Sequence, residues 1–139
     1  MEKNLAAKIG AVCYIFWGLV HFNAASGIYE LAQNTPASMT QGRLMQIAFY
    51  VLVFATAAIV FAVTLNWRND RLGFWANGTM VAIADIPFIL FILVPGYAPW
   101  WPGGLGPILW IAASVFTALA QWPIVTPRRS RGGRIQFRP

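Results

Sequence analysis

Hydrophobic positions run along this chain in four long blocks with almost no charge inside them: Ile9–Tyr29, Leu44–Leu65, Leu72–Val94 and Leu105–Val125. Each holds 21 to 23 residues. A helix rises about 1.5 Å per residue, so about 20 residues cross the roughly 30 Å hydrocarbon layer of a bilayer. Strands that cross a membrane are about 10 residues long and alternate strictly between apolar and polar, which these blocks do not. The backbone has no water partner in lipid, so each block predicts one continuous helix. Between the blocks lie three short connections, Glu30–Arg43, Asn66–Arg71 and Pro95–Gly104. The first is rich in turn formers and the second is a tight polar turn. The third, PGYAPWWPGG, reads as non-helical, with Tyr97, Trp100 and Trp101 suited to a headgroup interface. The expected fold is all-α, an antiparallel four-helix transmembrane bundle over residues 1–125, because short connections make consecutive helices antiparallel. Residues 126–139 form a basic tail that reads as disordered.

Composition sharpens this picture. Of the 139 residues, 58% are apolar and 10% charged, which excludes an ordinary water-soluble domain and a disordered chain. The formal net charge is +6, from ten Lys/Arg and four Asp/Glu. On a soluble protein such a balance would suggest nucleic acid, but here the basic residues flank the blocks and no nucleic-acid partner is expected. Lys3, Lys8, Arg68, Arg71, Arg128, Arg129, Arg131, Arg134 and Arg138 fall on one side of a four-span topology and Arg43 alone on the other. That asymmetry predicts a multi-pass protein of the cell (inner) membrane with both termini cytoplasmic. The partners it implies are the bilayer itself and anionic headgroups under the arginine-rich tail. A homo-oligomer or a membrane-complex partner is compatible with it. Lys3, Lys8 and the small residues Ala24-Ala25-Ser26 mimic a signal peptide, but the apolar run is long for one and contains His21 and Asn23.

Ionisable residues inside a span are costly and so are candidate functional groups. His21 lies 12 residues into the first block and Asp85 13 into the third, roughly 18–20 Å up; Tyr50, entering from the opposite side, comes to roughly 21 Å. Three polar groups on three helices therefore fall in one layer. Four stripes are expected to face inward: Tyr14, Gly18, His21 and Ala25; Gln46, Tyr50, Ala57 and Thr64; Gly78, Val81 and Asp85; Ser114, Thr117 and Gln121. The candidate ligand-binding or proton-relay residues are His21, Asp85, Tyr50, Gln46 and Asn23. Asn77 is expected to satisfy a neighbouring helix. Pro87 should bend the third helix close to Asp85. Glu30 and Arg43 are expected to pair at the outer rim. Trp17 and Trp110 read as packing groups, and Trp67, Trp75 and Trp122 as interface anchors.

Other chemistry finds no support. Cys13 is the single cysteine and reads as a small apolar packing residue. No metal site and no cofactor are expected, since there is one histidine and no nucleotide, zinc-protease or serine-hydrolase motif. Gly103-Gly104-Leu105-Gly106 precedes a proline and lacks a lysine, so it reads as a loop and not as a phosphate cradle.

Gly18-Leu19-Val20-His21-Phe22, following a stretch of small residues in the first span, resembles the opening helix of DoxX-like proteins, small four-helix bacterial membrane proteins. The resemblance implies the same bundle, and an accessory place in a redox system for some members. It carries over no catalytic residue. Three functional classes are therefore open. One is a protein that binds an apolar small molecule or supports a membrane (redox) complex. Another is a small intramembrane enzyme for a lipid, quinone or other apolar substrate, with His21 as base, Asp85 orienting it and Tyr50 donating a hydrogen bond. The third is a proton-coupled exporter that uses Asp85.

Overall fold

The structure is a computed structural model that describes residues 3–122. Four helices make up the bundle: α1 (Lys3–Gln33), α2 (Met39–Thr64), α3 (Arg71–Phe88) and α4 (Leu105–Gln121). A π-helical turn, Ile89–Leu93, extends α3, and a single helical turn, Trp100–Gly103, precedes α4. With these extensions all four are long and apolar enough to cross a membrane. The chain is thus an all-α, antiparallel four-helix bundle of a multi-pass membrane protein. The basic tail and the expected end of the fourth span at Val125 lie outside the described residues.

The side-chain distribution inverts that of a water-soluble bundle. The buried positions are dominated by alanine, among them Ala11, Ala55, Ala58, Ala62, Ala113 and Ala120, while Leu19, Phe49, Ile83, Phe91, Ile108 and Val115 point outward. Lipid is as apolar as leucine, so burying leucine gains little, and helices associate through small residues that let backbones approach. Helix α1 forms the two most extensive seams, with α2 on one side and α4 on the other. A Cβ on Gly18 would stand 2.8 Å from the Ala55 carbonyl oxygen of α2, and one on Gly10 would stand 2.6 Å from Thr117 Cγ2 of α4. Both seams therefore require glycine.

Two connections differ from the expected ones. The first shrinks from Glu30–Arg43 to residues 34–38, because Glu30–Gln33 are good helix formers that continue α1. The break falls at Asn34-Thr35-Pro36. The Asn34 amide donates to the Glu30 carbonyl (3.0 Å), and Ser38 caps α2 by accepting from the Gln41 amide. In the third connection, expected to be non-helical, Trp100–Gly103 makes one turn, irregular at Trp101; Tyr97, Trp100 and Trp101 are exposed there, at the level where interface aromatics sit. Pro87 lies inside α3, where it has no N–H to offer the Ile83 carbonyl. One turn later the bonding pattern widens, with the Val94 amide donating to the Ile89 carbonyl at 2.9 Å.

The end of the bundle where α1 begins and α4 finishes (the near end) is closed by polar contacts. Asn69, in the left-handed region at φ 58°, accepts from Gln121 Nε2 through its carbonyl and its side-chain oxygen, both at 2.9 Å. Its own amide donates to the Ala120 carbonyl. Gly73 lets α3 start against Leu65, whose Cβ would lie 2.6 Å from a side chain there. Trp75 and Trp122 flank Phe74 in edge-to-face contacts, and Lys8 sits over the Trp67 ring.

Candidate functional site

His21 and Asp85, from α1 and α3, meet in the half of the bundle away from that end. Imidazole Nε2 stands 3.5 Å from Asp85 Oδ1, and the Asp85 side chain is fully buried. The rest of the geometry comes from one residue, Trp17, a turn before His21 on the same helix. Its indole N–H donates to Asp85 Oδ2 at 2.9 Å. Its ring stacks on the imidazole with centroids 3.7 Å apart. Its carbonyl oxygen lies 2.8 Å from His21 Nδ1. A carbonyl only accepts, so Nδ1 carries a hydrogen and Nε2 is the nitrogen turned to the carboxylate. A proton between Nε2 and Oδ1 joins the two groups, whereas without it two lone pairs face each other. The pair is therefore a place where a proton can be held or passed. Oδ1 receives no hydrogen bond from the described residues.

Glycine makes this contact possible from the third side. A Cβ on Gly106, in the first turn of α4, would lie 2.7 Å from His21 Cε1 and 3.8 Å from Asp85 Oδ1. The glycine-rich segment read from sequence as a loop is thus the start of α4, pressed against the imidazole.

Beside His21 opens a cavity of about 550 Å³. Its walls come from all four helices and from Pro102 and Gly103, and most are apolar, such as Val20, Ile47, Val51, Phe54 and Phe88. Such volumes fit small-molecule sites, which run at roughly 300–1,000 Å³. Of the expected site residues, His21, Tyr50 and Asn23 line the cavity. Asp85 stands behind His21, and Gln46 supports Tyr50 by donating to its hydroxyl. The Glu30–Arg43 pair is not formed: Arg43 runs along its own helix to Gln46 Oε1 at 2.8 Å, a partner one turn away that needs no bridging of the loop. No three His, Cys, Asp or Glu side chains converge among the described residues.

The expected stripe on α2 is also corrected. Tyr50 and Thr64 are exposed, Gln46 and Ala57 half-buried, and the inward face is Ala48, Ala55, Ala58 and Ala62. Thr64 satisfies its hydroxyl on its own helix by donating to the Val60 carbonyl, so it can face lipid at little cost. On α3 the buried stripe is Gly73, Asn77, Val81 and Asp85, with Gly78 half-buried against the Tyr14 hydroxyl. Asn77 donates to the Ala58 carbonyl of α2 at 3.1 Å, as its place in the sequence suggests.

Trp17 is the residue sequence reasoning undervalued. It packs, fully buried, but it also holds both site residues. The available signal was its place one turn from His21, since an indole N–H buried at that depth needs an acceptor.

Fold and site together define a four-helix membrane protein with a buried His–Asp pair beside an apolar cavity. No family model, curated protein or solved structure matches the chain.

Proposed function

We propose that this protein binds an apolar small molecule within the bilayer, in the cavity beside His21, with the near end and both termini on the cytoplasmic face of the inner membrane. The cavity itself carries the reading: a largely apolar chamber of ligand size, bordered by an imidazole backed by a buried carboxylate. The lysine and arginine asymmetry supports the orientation. Native mass spectrometry of the full chain, released from lipid nanodiscs, tests the binding. A bound hydrophobic species should persist in the wild type and fall sharply in Ala24→Phe, which places a ring at the cavity wall. Equal occupancy in both would refute the reading. A reporter fused to the C-terminus should be active only in the cytoplasm.

The His21–Asp85 contact favours a second reading, an intramembrane enzyme in which the Trp17 carbonyl holds the ring through Nδ1 and the pair passes a proton to a bound apolar substrate through Nε2, the nitrogen turned to Asp85. Asp85→Asn distinguishes the two. A pure binder keeps its ligand unaltered, whereas an enzyme accumulates substrate in place of product, visible as a mass change in the extracted ligand.

A further inference from the structure

The cavity wall has a polarity set from the far rim. Arg43, Gln46 and Tyr50 lie one turn apart down α2 and form a hydrogen-bonded chain. Guanidinium only donates, so the Gln46 carbonyl oxygen must face Arg43 and its NH2 must face Tyr50. The Tyr50 oxygen is then the acceptor in that bond. Its own hydrogen is taken by no acceptor among the described residues, and Tyr50 lines the cavity. Tyr50 is half exposed on the open side of the cavity, so its hydrogen is free for a ligand seated there. Charge is restricted as sharply. No Lys, Arg, Asp or Glu lines the cavity, and Asp85 is already engaged by Trp17 and faces His21. His21 is the one wall residue able to take a charge, and its Nε2 is turned to Asp85, so an ionic head would meet no permanent charge of opposite sign on the wall.

We infer that the ligand is an uncharged amphiphile whose head offers a carbonyl oxygen to the Tyr50 hydroxyl. Its hydrocarbon part lies against Ile47, Val51, Phe54 and Phe88. This rests on the reading of the cavity as a ligand site and adds the chemical class of what it holds. Arg43 and Gln46 act as positioning residues: they orient the phenol and do not touch the ligand. The carbonyl can belong to a free ketone or to a lipid ester, which the test separates.

The probe is a long-chain alkane bearing a diazirine, added to the full-length protein in phosphatidylcholine nanodiscs. Photolabelled residues are located by mass spectrometry. Competitors of equal length are a methyl ketone, a methyl ester, the plain alkane, the fatty acid and the alkylamine. The ketone, the ester or both should displace the label at about three- to tenfold lower concentration than the alkane, the worth of one net hydrogen bond. Whichever of the two displaces more strongly identifies the source. In Tyr50→Phe the ketone and ester should fall back to the alkane's potency while the label itself still lands on the cavity wall. In Gln46→Leu the advantage should shrink without vanishing. Equal potency of ketone, ester and alkane in the wild type would overturn the inference and leave the ligand site standing. So would an advantage that survives Tyr50→Phe, or stronger displacement by the acid or the amine. Label that falls outside the cavity would overturn both.

Discussion

The two halves of this bundle use polar residues in opposite ways. In the near half, Asn77 reaches the Ala58 carbonyl and Asn66, and Gln121 clasps Asn69 from both of its oxygens. Helices there touch through alanine and glycine, and the polar groups join one helix to the next. In the far half, Trp17, His21 and Asp85 also bind one another, but one of them, His21, stands at the wall of a cavity. Buried polarity in a membrane protein is thus read by what lies beside it. Polar groups against close-packed backbone act as fasteners, and polar groups beside a cavity are the candidates for a site.

Substitutions can break or sharpen that contrast. The largest effect is expected for Asp85→Ala, which leaves the Trp17 indole and His21 without their common partner. The buried indole N–H left without an acceptor, together with the small cavity opened, costs about 2–4 kcal/mol, to be read as a loss of thermal and denaturant stability in mild detergent. An unchanged unfolding midpoint would mean that the pair contributes nothing to the fold. Trp17→Phe keeps an aromatic ring but removes the bond to Oδ2 and leaves a small cavity. It should cost about 1.5–3 kcal/mol and loosen the imidazole, seen as a shift of the His21 ring signals by NMR. Gly18→Ala forces α1 and α2 apart at the Ala55 carbonyl and should cost about 1–3 kcal/mol. Asn77→Leu should cost a similar amount, about 1–3 kcal/mol, yet leave the occupancy of the far cavity unchanged. Loss of ligand in Asn77→Leu would erase the proposed division between halves. Thr64→Val, on the lipid-facing side, should change stability by about 0.5 kcal/mol or less, since its hydroxyl serves only its own helix.

Span number, helical class and the shared depth of His21 and Asp85 were legible in the sequence, because length, hydropathy and depth along a helix depend only on position in the chain; that the two touch was not, because contact depends on the joint rotation of two helices. Helix rotation was legible where a glycine or an ionisable group left one acceptable direction, as on α1 and α3. It failed on α2, where Thr64 and Tyr50 looked inward by type. A threonine that bonds its own backbone, or a tyrosine that bonds Gln46, carries no obligation to face a neighbour. Gly106 was hidden for a different reason: its role depends on a contact with His21 across the bundle, and no local pattern announces an imidazole. The extent of the first connection was misjudged because turn-forming residues at its centre were allowed to claim Glu30 and Arg43, which belong to helices.

The bond from Trp17 to Asp85 spans 68 positions in the chain. During synthesis α1 leaves the ribosome before α3, so the indole and imidazole emerge ahead of their acceptor. The first helix is furnished for that interval: the His21 nitrogen finds the carbonyl of its own preceding turn and the ring lies against the indole face. Asp85, the costlier passenger, comes last and arrives where a donor is already in place. The order of residues along the chain thus sets the acid's partners ahead of it in synthesis.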